Sequence, residues 1–200
     1  MKRFEFVEGD EIVIAPGRTV KRIRALVEMV ALGVASGDLG GYIEKESQVY
    51  GNAWVYGSAQ VSGSALVYGN ARVYDDAQVY GDALVYGNAR VYGNAQVSGY
   101  ALVYGDAQVY GNAWVYGDAR VYGDARVYGN AQVYGDAQVS GNAQVSGNAQ
   151  VYGDARVYGD AQVYGDAQVY GDARVYGKII VACRSDGGTF MVPPATEGTR

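Results

Sequence analysis

The amino-acid sequence predicts an all-β protein whose strands wind into a parallel solenoid, and three observations predict it. Twenty-one six-residue units run without a gap from Val49 to Arg174, each beginning with Val and carrying Ala at its fifth place, from Ala53 to Ala173. Ala-x-Val-Tyr alternates with period two, so Ala and Val point to one side of a short strand while x and Tyr point to the other. Gly followed by Asn or Asp then punctuates most units, supplying residues that tolerate a positive φ at a sharp bend. A four-residue strand and a two-residue corner make one side of a prism. Thirty glycines, twenty tyrosines and only three phenylalanines are the compositional trace of this repetition.

The register extends at both ends. Gly41-Tyr42-Ile43-Glu44 fits small-out-apolar-out and starts the first coil, with Ser47 in the next small position. Val175 and Val181 keep the frame, while Ile179 replaces Ala as a larger plug where the narrow core ends. Beyond Ser185 the frame is lost: Asp186-Gly187-Gly188 reads as a turn, Thr189 to Val192 as a short covering strand, and Pro193-Pro194 onward as a loose tail. Cys183, the single cysteine, excludes an internal disulfide and reads as a small buried apolar residue.

The first forty residues differ. Phe4-Glu5-Phe6-Val7 and Glu11-Ile12-Val13-Ile14, joined through Glu8-Gly9-Asp10, predict a hairpin. Thr19 to Leu32 is ambiguous, since Val20, Ile23, Val27 and Val30 keep helical spacing while Arg22 to Leu26 also suits a strand. An open terminal coil exposes unpaired strand edges, so this segment reads as a cap. The expected organisation is a cap over 1–40, a repeat region over 41–182, and a C-terminal cap and tail over 183–200.

The Val-first, Ala-fifth unit resembles the hexapeptide repeat of left-handed parallel β-helices. In that family three hexads make one eighteen-residue triangular coil. The resemblance therefore implies a left-handed prism of seven regular coils here, on the order of 34 Å long at strand spacing. Asp38-Leu39-Gly40-Gly41-Tyr42-Ile43-Glu44, with the preceding Arg22-Ile23-Arg24-Ala25-Leu26, resembles the entry segment of uncharacterised phage and bacterial proteins with Tyr-Gly-Asn-Ala units, including YdcK-like transferases. Some left-handed β-helix proteins are acyltransferases whose characteristic catalytic base is a histidine, and carbonic anhydrases of the same fold place three histidines on zinc. The present sequence contains no histidine. It also offers no loop insertion within the repeats in which an acceptor or CoA pocket would be built, although an Asp or Glu base remains open. A non-catalytic scaffold is the leading reading, with no cofactor implied. A degenerate acyltransferase-like enzyme and a carbohydrate-binding element are the alternatives.

Charge narrows the partners. The repeats carry eleven Asp and six Arg, within a chain of net charge −5. A mildly acidic solenoid does not attract nucleic acid or an anionic membrane. No apolar run is long enough to span a bilayer and the first residues lack a secretory core, so a cytoplasmic protein is expected, with virion association as the alternative that the phage resemblance implies.

Specific roles are sought where the repeat varies. Tyr follows Val except at Ser62, Ser98, Ser140 and Ser146, and the resulting Tyr ladders read first as structural. Leu66, Leu84 and Leu102 hold one outward position in three successive coils, beside Tyr68, Tyr86 and Tyr104, where Gln or Arg is the rule. Such an apolar strip predicts a contact, either with the cap folding back or with a second copy in a dimer or trimer. Asp118, Asp136, Asp154 and Asp172 stack along one corner, a weak candidate for a cation column with Arg120, Arg156 and Arg174 nearby. Trp54 and Trp114 are expected to point outward, where they are weak candidates for stacking on a glycan. Ice binding would need ordered Thr rows, and the repeats contain no Thr.

Overall fold

The structure, a computed structural model, describes residues 2–182; the buried place expected for Cys183 and the turn, strand and tail expected within 183–200 lie outside the described residues. The chain forms a three-sided parallel β-solenoid of about eight turns, entered through an antiparallel β-unit. Strand β1 (Phe4–Ala15) pairs antiparallel with β2 (Arg18–Ala25), and β2 with β3 (Leu39–Ile43). β3 then pairs parallel with Gln60–Val61, and from there every coil strand pairs with the strand eighteen residues away.

Three faces result. The first carries β3, Gln60, Gln78, Gln96, Trp114, Gln132, Gln150 and Gln168. The second carries Trp54, Arg72, Arg90, Gln108, Arg126, Gln144, Gln162 and Ile180. The third carries Leu66, Leu84, Leu102, Arg120, Gln138, Arg156 and Arg174, led by a bridge from Val49 to Val67. Val and Ala of the hexads fill the interior, and nearly all are fully buried.

Strand assignment covers mostly x and Val alone rather than four residues, because the narrow triangle bends every sixth residue. The hydrogen bonds between coils nevertheless reach beyond these two-residue strands. Gln96, Ser98 and Tyr100 donate their N–H groups to the carbonyls of Ala113, Val115 and Gly117 at 2.9, 2.9 and 2.8 Å, each seventeen residues on. Corner and strand are thus tied to the next coil alike. At the corners glycine takes φ near +70°, and a Cβ on Gly117 would lie 3.0 Å from the Gly135 nitrogen. Positive φ and close stacking together require glycine there.

The hairpin differs from the one expected. β1 is continuous through Gly9, which marks a bulge with φ +77°, and the chain reverses at Pro16-Gly17. A single Gly in a run of extended residues is absorbed by a bulge more readily than by a reversal when the following segment supplies the partner strand. That partner is Arg18–Ala25, which resolves the ambiguous stretch as a strand followed by a short 3-10 turn at Val30–Leu32. Phe4, Ile23, Leu32, Val34 and Ile43 are buried and continue the core of the coils into the entry unit, where Val20 is buried as well.

Two expected boundary residues also behave otherwise. Ser47 is exposed, lying in a 3-10 turn over Glu46–Gln48. Gln48 turns inward instead, its side-chain oxygen accepting from the N–H groups of Glu44 and Lys45 at 2.9 Å and its Nε2 donating to the Gly63 carbonyl at 3.2 Å. The buried amide is thereby satisfied by three backbone groups of the irregular entry, one of which, the Glu44 N–H, also keeps its ladder bond to the Val61 carbonyl at 3.0 Å. Ile179 is 37 % exposed rather than a buried plug, since the core already opens one coil side earlier, where Ala173 is only partly buried.

Gly40 and Gly41 serve packing: a Cβ on Gly40 would sit 2.6 Å from Ile23 and 2.8 Å from Trp54, and one on Gly41 2.5 Å from the Ala59 carbonyl. The entry is clasped by Arg22, which pairs with Asp10 at 2.8 Å, donates to the Tyr42 hydroxyl at 2.7 Å and lies over the Tyr42 ring at 4.4 Å.

Replacing Gly117 with Ala is expected to destabilise the protein by at least about 2 kcal/mol, combining left-handed strain with the close contact. Gln132→Ala, on an outward position, should change stability by no more than about 0.5 kcal/mol. Chemical denaturation of the two variants checks this.

Candidate functional site

Because each coil repeats the last, outward side chains form columns. On the third face Tyr50, Tyr68, Tyr86, Tyr104 and Tyr122 stack with ring centroids 4.9 to 5.0 Å apart and planes within 3°. Ser140 ends that stack, as Ser146 ends the run Tyr74, Tyr92, Tyr110 and Tyr128 on the second face. On the first face Tyr116, Tyr134, Tyr152 and Tyr170 stack, while Tyr80 stands alone between Ser62 and Ser98. The spacing is that of the strands themselves, so the backbone sets it and the rings fill it.

Stacking perturbs the phenols. Burial first, and then the neighbouring phenols, raise the pKa values of Tyr68, Tyr86, Tyr104, Tyr110 and Tyr134 above 10.0, with Arg120 opposing at Tyr86 and Tyr104 and Arg126 at Tyr110.

Leu66, Leu84 and Leu102 lie directly above one another, in register, half-buried beside the Tyr stack. The N-terminal unit does not dock on them. Its loop contacts are on the second face, where Tyr56 donates to the Leu32 carbonyl at 3.0 Å and Arg72 to the Ala31 carbonyl at 2.8 Å. Trp54 therefore does not point into solvent as expected. It is 1 % exposed, packed edge-on against Phe4 at 6.1 Å and beneath the entry unit, which removes it as a stacking platform. Trp114 is 44 % exposed on the first face, edge-on to Tyr116, so the two tryptophans share no surface.

The corner columns separate by chemistry. An Asn side chain both donates and accepts, so Asn94, Asn112, Asn130 and Asn148 form a chain of hydrogen bonds from Nδ2 to Oδ1 at 3.0 to 3.2 Å. Asp only accepts, and it closes such runs at Asp106, Asp160 and Asp166. In the column of Asp118, Asp136, Asp154 and Asp172 no such chain is possible. The first three line a shallow cleft of about 330 Å³ with Arg120, Gln138 and Arg156. Among the described residues no group of three carboxylates, thiols or imidazoles is arranged to hold a metal ion. The five ion pairs found among those residues all belong to the entry unit, so the column is not neutralised by direct pairing.

Two departures escaped the sequence reading. Asp75 stands where every other hexad has Gly, and it alone among the non-glycine described residues has a positive φ, of 59°. Tyr100 occupies a corner otherwise held by Asn, Asp or Ser and is 64 % exposed. Both were readable as breaks in the hexad. Among the described residues no helix is long and apolar enough to cross a membrane. A family model described as YdcK beta solenoid repeat matches the chain in eleven segments between residues 47 and 181, together covering more than half of it. A search of curated proteins finds no match.

A phenol whose folded pKa is raised contributes stability that is present below its unfolded pKa of 10.0 and lost as the pH rises through the folded value. Thermal melts should therefore weaken above pH 10.0, and phenolate absorbance should appear later in the folded protein than in denatured chain.

Proposed function

Since the chain belongs to the YdcK beta solenoid repeat family, we propose that it acts as a non-catalytic interaction scaffold, a rigid prism that presents columns of side chains at strand spacing. The contact surface is the strip of Leu66, Leu84 and Leu102 with Tyr68, Tyr86 and Tyr104. The observation that carries this reading is the position of the strip: three Leu in register beside a five-ring stack, on the face the entry loop does not cover.

Burial of a Leu stabilises by about 2 kcal/mol, so three aligned on an outward surface are a cost in solution unless something covers them. A second copy suits the role. Its strip has the same period, 4.9 Å between successive rings, so knobs of one column fit the gaps of another along the whole strip. A partner without that period matches only locally.

Leu84→Gln places at this position the residue that the other faces use, so the fold is expected to survive. The wild type should sediment as a dimer or trimer of the 21.3 kDa chain, and Leu84→Gln should shift toward 21.3 kDa. A wild type that remains a monomer at high concentration, or a variant with unchanged mass, overturns self-association through the strip.

A further inference from the structure

At the seam between the entry loop and the second face lies a cleft of about 390 Å³, lined by Leu32, Tyr56, Arg72, Tyr74, Asp75 and Arg90. Three irregularities meet there. The corner glycine is replaced by Asp75, whose carboxylate accepts from the Gly93 N–H at 3.1 Å. The Tyr ladder is broken, because Tyr56 bonds to the loop and stands at 86° to Tyr74, 6.4 Å away, whereas Tyr74 and Tyr92 lie 4° apart at 4.7 Å. Arg72 is held by the loop carbonyl of Ala31.

The charge pattern points the same way. Arg120, Arg126, Arg156 and Arg174 each follow an Asp two residues earlier, namely Asp118, Asp124, Asp154 and Asp172. Arg72 and Arg90 follow Asn70 and Asn88 instead, whose amides are engaged in the corner chain. These two guanidinium groups are in register on adjacent coils, with no acid at the corner before either of them, so Asp75 is left as the one carboxylate set against their mutual repulsion in the cleft. Asp75 is the single carboxylate lining the cleft, so the site is net positive in a chain of net charge −5.

We propose that this seam cleft binds a small organic anion, with its charged oxygens at Arg72 and Arg90 and an apolar or aromatic body against Leu32 and the Tyr56 and Tyr74 rings. The volume is in the range of small-molecule sites, and guanidinium pairs recognise carboxylate and phosphate oxygens through directed N–H bonds. The face is not the one that carries the Leu strip, so this site stands or falls independently of self-association.

Calorimetric titration of the full chain with phenyl phosphate and with benzoate tests it, with benzyl alcohol as the uncharged ring. At least one anionic probe should bind at a single saturable site, and comparison of the two identifies the preferred headgroup. Arg90→Gln should weaken binding by about tenfold or more. Gln occupies the equivalent place at Gln108, Gln144 and Gln162, so this variant should melt like the wild type. Arg126→Gln, on the same face but beside Asp124, should leave binding within about twofold. Absence of saturable binding by both anions up to about 10 mM, equal binding of benzyl alcohol, or an equal loss in Arg126→Gln overturns the proposal.

Discussion

The backbone ladder between coils is the constraint on which everything else depends. Strand N–H groups, and those of many corners, find a carbonyl seventeen residues on, so neighbouring coils cannot slip against one another. Residues eighteen apart are forced into contact whatever their chemistry. A column therefore stabilises or destabilises as a unit, and the sequence can choose only what to repeat. Val and Ala repeat inside because the narrow triangle favours small and medium apolar side chains, with Ile43 taking the Val place in the first coil. Tyr repeats outside because flat rings tolerate strand spacing.

The same constraint sorts polar residues by their hydrogen-bonding repertoire. Asn stacks on Asn because one amide both gives and receives, and Asp is accommodated at the receiving end of a run. Consecutive Asp residues have no such solution, so their column depends on Arg side chains in the same cleft and on water for screening. Among the described residues charge is organised by neighbouring columns more than by direct pairs, which are confined there to the irregular entry.

Much of this was legible in the sequence, and the parts that were not share a cause. The period gave the solenoid and the inward Val and Ala, and the three-hexad coil that the resemblance implies turned it into columns of Leu, Tyr and Asp, since local pattern and tertiary contact are the same information in a repeat. The entry unit has no period. There Gly9 is a bulge rather than a turn, Arg18–Ala25 becomes a strand because β1 and β3 flank it, and Gln48 replaces Ser47 in the interior, where its amide bonds three backbone groups. Trp54 was misplaced for the same reason. Its outward direction follows from register, but its burial comes from a unit whose packing the register does not describe.

A regular column carries little positional information, so specificity has to come from breaking it, and a break is cheapest where the ladder is already interrupted. The entry unit supplies that interruption. It removes solvent from Trp54, turns the Tyr56 ring out of its stack and anchors Arg72, and the one corner without glycine lies directly beside it. Asp in a left-handed corner costs less than most side chains would, because its short carboxylate can bond to nearby backbone, here the Gly93 N–H one coil away. The strained corner, the opened ladder and the arginines without a corner acid before them thus meet at one junction. A solenoid of identical coils acquires an individual address only at such a junction, where an aperiodic unit meets the first turns of the prism.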